Sequence, residues 1–249
     1  MKYVEMDEAI NADGLRIVIV KAMPSAWGVA AKAMIEYKSL DFLVAHQMPM
    51  TENPELLAWS GTNSGPVVAW NNEPPINRWN DIIFLLERLE RNHPLLPENA
   101  ADRIKVLGIC HEICGELGFG WNRRLDLVRT PAGEEPNPFG LKYGYNDADA
   151  AAANQRVVSF MQELTSILKS QQAAGSNFLV GNSVTAADFH WAAFSNFVVI
   201  QPHEECPMNP DARPMFQNTP SEILDAVDPI LLEHRDRIMR DYYKLPLEL

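Results

Sequence analysis

Gly181-Asn182-Ser183-Val184-Thr185-Ala186-Ala187-Asp188-Phe189 is a helix start that leads into a long apolar run. Thr185 can accept from the amide three residues on, and Asp188 can reach back to the Thr185 amide, which makes a reciprocal capping box. A capping box by itself says only that a helix begins. Its weight comes from what stands upstream. Ser64-Gly65-Pro66-Val67-Val68 sets a proline directly before an apolar strand, and Ser25 follows a first predicted strand, Leu15 to Val20.

That first strand is rich in Val and Ile, as suits a strand buried on both faces. Pro24 and Ser25 end it. Trp27, Ala30, Ala31, Met34 and Ile35 then recur at helical spacing, with Lys32 and Glu36 on the other side. Leu40 to Ala45 reads as a second strand, so the chain opens as a small α/β unit. Val67 to Trp70 and Pro74 to Ile76 can form a hairpin around Asn71-Asn72, because Asn tolerates positive φ in tight turns. Ile82, Leu85, Leu86 and Leu89 mark another helix, and the stretch from Arg91 to Asn99, with Pro94 and Pro97, breaks it.

Past that stretch the patterns are helical. Ile104-Leu107-Cys110-Cys114-Leu117, Val157-Phe160-Met161-Leu164-Leu168 and the run from Thr185 to Ile200 all recur at three or four, and an alanine-rich helix start spans Ala148 to Ala153. A loop from Thr130 to Tyr145, with three prolines and three glycines, interrupts them.

Composition narrows the function classes. The 249 residues are 47% hydrophobic, enough for a real core. With 21 basic and 33 acidic residues the formal net charge is -12, which opposes nucleic acid and anionic membrane surfaces as partners. Three cysteines, Cys110, Cys114 and Cys206, are no disulfide framework and point to a reducing compartment. The first eight residues are acidic and lack an apolar core, and no run approaches the ~18 apolar residues of a membrane span. A cytoplasmic location is expected.

Ser25, the Gly65-Pro66 element and the Thr185 capping box, in that order and spacing, resemble the glutathione transferase family, from about Leu15 to about His234. The resemblance implies an α+β thioredoxin-like domain over residues 1–93, then an all-α helical bundle over 98–249. It also implies glutathione as co-substrate, a small-molecule electrophile as the second substrate, and a homodimer.

A glutathione site must make a thiolate from a thiol whose pKa is near 8.5, and a drop of about two units needs roughly 2.7 kcal/mol of preference for the anion. A hydroxyl at a helix start, with the helix amides, can supply most of this. The resemblance assigns that hydroxyl to Ser25; read alone, Ser25 is an ordinary N-cap. It assigns pairing with the cysteinyl backbone to Gly65, Pro66 and Val67, with Pro66 in a cis peptide; an ordinary trans proline at a strand edge is the alternative. Family members place an acidic residue and a serine at the start of the next helix to hold the γ-glutamyl end. Here Arg78 and Trp79 occupy those positions, with Asn77 before them. Arg78 can hold a carboxylate and Asn77 can cap the helix, or Arg78 is solvated and Trp79 packs. Gly65 also replaces the bulkier apolar residue usual in the family.

The second-substrate pocket implied by the resemblance draws on Trp27, His111, Cys114 and Trp121, so an apolar, aromatic electrophile is expected. Cys110, His111 and Cys114 lack a fourth ligand for a structural zinc site, and His203-Glu204-Glu205-Cys206 reads as a surface turn, so no metal site is expected. The expected activity is a glutathione transferase. The alternatives are a fold relative that binds without catalysis, and a glutathione-dependent isomerase or ether-cleaving enzyme.

Overall fold

The computed structural model describes residues 1–129, 134–135 and 137–249. The first half is a mixed sheet in the order β1-β3-β2-β4, formed by β1 (Lys2–Tyr3), β2 (Leu15–Val20), β3 (Phe42–Gln47) and β4 (Val67–Trp70). β2 lies parallel to β3, with Ile17 opposite Val44, and antiparallel to β4, with Ile17 opposite Val68. As the apolar run demands, β2 is buried on both sides: Leu15, Ile17 and Ile19 join the main core, and Val18 joins a smaller one with Ala9, Ala45, Leu56 and Val67. α1 (Met6–Asn11) and α3 (Pro54–Ser60) close that smaller core, whereas α2 (Ala26–Tyr37) and α4 (Trp79–Leu89) cover the other face. Arg16 is buried among the backbone carbonyls of Ala9, Gly14 and Asn71, which take its guanidinium donors at 3.2, 2.9 and 2.8 Å.

The expected hairpin survives as a single bridge. Asn71 takes a φ of +47°, and Val68 and Ile76 exchange two 2.8 Å backbone hydrogen bonds, but Pro74 to Ile76 form no strand. β1 and α1 carry no sequence pattern and were not expected; β1 adds a parallel edge strand to β3.

The second half is helical among the described residues: α5 (Ala100–Cys114), α6 (Phe119–Leu127), α7 (Pro138–Lys142), α8 (Asp147–Ala173), α9 (Ala186–Phe194), α10 (Arg213–Gln217), α11 (Ser221–Leu224) and α12 (Pro229–Tyr242). The loop expected over residues 130–145 lies partly outside the described residues, and its described part contains α7. The stripe expected on α5 holds at Cys110 and Cys114, which are buried, and at half-buried Leu107, but fails at its ends: Ile104 is 70% exposed and Leu117 lies past the helix, while Val106 and Ile113 complete the buried face. Spacings of three and four fit two adjacent faces of one helix, and packing on α9 selects between them.

α9 is buried along its whole length. The capping box forms, and Asp188 does more than cap. Its Oδ2 accepts from the Thr185 amide (2.8 Å) and hydroxyl (2.9 Å), its Oδ1 accepts from the Leu179 amide (2.9 Å), and His234 Nε2 lies 3.1 Å away. The stretch between α4 and α5 is pinned as well. Lys38 Nζ donates to the carbonyls of Glu90 (2.6 Å) and His93 (2.9 Å), and the first amide of α9 donates to Leu95 O (2.9 Å).

Candidate functional site

Ser25 stands at the N-cap of α2, where the chain leaves β2. Its backbone is extended, but its hydroxyl makes no capping hydrogen bond and is half-buried, with no partner among the described residues. No acidic side chain occupies the first turn of α2, so nothing offsets the positive end of the helix there. On one flank Ser25 shares a small cavity with Lys32, Tyr243, Leu247 and Glu248. The C-terminal segment packs there, with Glu248 Oε2 2.9 Å from Lys32 Nζ.

Two residues on, Trp27 crosses to the helical half. Its indole donates to Cys114 O (3.0 Å) and its ring meets Phe194 edge-on at 4.6 Å. Gly120 on α6 makes this possible, because a Cβ there would sit 2.4 Å from the Phe194 ring and 3.0 Å from Trp27. The Arg124 guanidinium carbon lies 4.3 Å from the Trp27 ring centre, 4.1 Å from that of Tyr143 and 6.0 Å from that of Trp121. Tyr143, just past α7, also bonds the Ser64 hydroxyl, while Lys142 Nζ donates to Asn63 O (3.2 Å). The segment after α7 is thus tied to the loop that precedes β4.

In that loop the Gly65-Pro66 peptide is cis. The Gly65 amide donates to Gln47 Oε1 at 2.6 Å, and Gln47 Nε2 donates to Asn63 O at 2.8 Å. A Cβ on Gly65 would lie 3.0 Å from Val18 O and 3.1 Å from Gln47 Oε1, so a larger residue needs those neighbours to give by a few tenths of an ångström. Val67 is fully buried in β4 and can offer only backbone.

The start of α4 is more open. Asn77 and Arg78 are exposed, and Arg78 is the N-cap without a side-chain capping bond. Trp79 packs edge-on against His190 (6.1 Å) and near His111 (6.3 Å). His111 is exposed, whereas Cys110 and Cys114 face the core, where burial pushes both thiols well up. Cys114 therefore meets the cleft through its carbonyl, not its sulfur. Among the described residues no group of three or more His, Cys, Asp or Glu side chains is placed to hold a metal.

The structure thus gathers Trp27 and Trp121 around Arg124, and sets Ser25 two residues before Trp27, beside the cavity under the C-terminal segment. Sequence reasoning missed Gln47, Ser64, Arg124 and Tyr143. Gln47, a polar residue ending an apolar strand, carried a weak signal; the others meet their partners only across long stretches of chain.

No family model matches the sequence, and no curated protein matches it. Solved structures do. A glutathione S-transferase from Methylobacillus flagellatus KT with glutathione bound superposes with a TM-score of 0.67 at 12% identity, over 92% of this chain and 96% of that one. One from Xanthobacter autotrophicus Py2 gives 0.61 at 16% identity, over 94% and 98%. The chain has the glutathione transferase fold. Ure2p in complex with glutathione shares this glutathione transferase fold at a TM-score of 0.57 and 12% identity, over 89% of this chain and 98% of that one.

Proposed function

We propose that the protein is a glutathione transferase in which Ser25 activates the thiol. The observation that carries this reading is the unengaged Ser25 hydroxyl: an N-cap serine normally accepts from its own helix, and this one leaves its oxygen and proton to a ligand. Donating to the glutathione sulfur, with the free amides of the first turn of α2 behind it, it favours the thiolate by roughly the 2.7 kcal/mol that two pKa units require. The thiolate then forms a bond to an electrophilic carbon held against Trp27 and Trp121, and the displaced group or the adjacent atom takes the electron pair and a proton. Gly65, Pro66 and Val67 present backbone to the cysteinyl part, and Asn77, Arg78 and Trp79 border the γ-glutamyl end. A cytoplasmic homodimer is part of the proposal; exposed Phe84 on α4 and Ile104 on α5 are apolar surface for a second copy to cover.

Two observations support a second reading, a protein of this fold that binds a ligand without turning it over. The Gly65 amide is already taken by Gln47, and the acidic-serine pair is replaced by Arg78 and Trp79. Calorimetric titration with reduced glutathione, followed by a turnover assay with an activated aromatic electrophile, separates the two: binding without turnover favours the second. Saturable binding at millimolar affinity or tighter is the expected result, and heats no larger than dilution would sink the transferase reading.

A further inference from the structure

Arg123 and Arg124 are adjacent on α6 and differently served. Arg123 is buried with its Nε on Phe197 O (2.9 Å) and its Nη1 on Asp126 Oδ2 (2.7 Å). Arg124 has no carboxylate and no hydrogen-bond acceptor among the described residues. It is held only by ring faces, Trp27 on one side and Tyr143 on another. Burial pulls its pKa down, with only the Tyr143 hydroxyl opposing, so the cation gives up water without gaining an anion. Two further features share this surrounding. Trp121, one turn earlier, has a buried indole N–H without a partner. Lys142, whose Nζ lies 5.3 Å from the Tyr143 ring centre, has a backbone carbonyl and, among the described residues, no carboxylate. In a chain of net charge -12, half-buried Arg124 and exposed Lys142 flank the same aromatic rings with no acid beside them among the described residues.

We propose that Arg124 anchors a carboxylate on the second substrate, so that the cleft selects an aromatic acid over a neutral aromatic compound. Ring faces accept no N–H hydrogen bond of the kind a carboxylate does, so the planar fork of N–H donors remains for a carboxylate to take with two parallel hydrogen bonds. Trp27 and Trp121 supply apolar surface for the ring that bears the acid. The proposal rests on the transferase reading for its reaction, but the binding step needs no glutathione.

The test is calorimetric titration of the intact protein with 2-naphthoate and with neutral 2-naphthamide, without glutathione. The acid is expected to bind wild type about tenfold more tightly than the amide. R124Q is expected to abolish that preference, and R124K, a point charge without the fork, to keep about a third of it. Equal affinities for wild type, a preference that survives R124Q, or an undiminished preference in R124K would each overturn the proposal. If R124Q does not fold, the R124K comparison decides. A purely structural staple between two rings would lower the melting temperature of R124Q and leave the acid-to-amide ratio alone. Glutathione affinity is expected to be unchanged in R124Q; a tenfold loss there, with the naphthoate preference intact, assigns the carboxylate to glutathione and overturns the proposal. Wild type that prefers naphthoate but binds no glutathione sinks the transferase reading and leaves this inference standing.

Discussion

Around Asp188 and around Ser25 the same fold treats polar groups in opposite ways. Asp188 has no exposure, and both its oxygens are occupied, by two amides, a hydroxyl and the nearby His234 ring. The Ser25 hydroxyl and, around Trp27, the Arg124 guanidinium and the Trp121 indole N–H have nothing to bond among the described residues. Unmade hydrogen bonds are costly wherever water is excluded, so a group of them in one place is a candidate for completion from outside. The Asp188 network completes itself, and its work is structural. The groups around Ser25 and Arg124 are left open by the described residues, and the proposed ligands would complete them.

Breaking the first region should give the largest effect. Asp188→Ala strands three donors in the core, and loss of a buried, multiply bonded carboxylate costs about 3–5 kcal/mol. At this chain length that corresponds to a melting temperature lower by about 10 °C, read by thermal unfolding. Activity per folded molecule should stay near wild type, since Asp188 touches no cleft residue. A fully stable D188A protein would mean that the network is ornamental and the contrast empty.

Ser25→Ala attacks the second region, with the effects reversed. Turnover at pH 7 is expected to fall by up to about 25-fold, the loss of thiolate if all of the roughly two units of acidification go with the hydroxyl, with glutathione affinity little changed. Stability should move by less than ~0.5 kcal/mol, below the ~1 kcal/mol typical of a lost N-cap, because no capping bond exists to lose. Steady-state kinetics and urea unfolding of one preparation read both. A large stability loss with full turnover would return Ser25 to an ordinary cap.

Local chemistry made much of the first region readable in the chain. The capping box needs residues only three apart, and the apolar run of Leu15–Val20 is β2 residue for residue. The start of α2 at Ser25 and the proline before β4 were readable on the same ground. What stayed hidden depends on distant partners. Arg124 looks like any helix-surface arginine until Trp27 and Tyr143 close on it, and Gln47 gains its place only when Asn63 and Gly65 fold back to it. The two faces of α5 were likewise equivalent until α9 chose one. β1 is too short to show any period.

His190 sharpens the comparison at the seam between the regions. It belongs to buried α9, yet its ring meets Trp79 at the start of α4, and its Nδ1 lies 3.4 Å from the Cys110 sulfur. No carboxylate supports a charge on it, and burial holds its pKa down to about 3. The unfolded chain binds a proton there near pH 6.5, so between pH 6.5 and 3 the unfolded state holds more protons. The stability from neutral His190 is complete above pH 6.5 and drains away as pH falls through that window. Between pH 7 and pH 5 the wild type should lose about 2 kcal/mol more than His190→Phe, which keeps a ring for Trp79 and Phe194 but cannot titrate. Urea unfolding of both proteins at the two pH values gives the difference directly. Parallel losses would mean that His190 accepts its proton in place, and that this end of the core is as open to a ligand's chemistry as the cleft beside it.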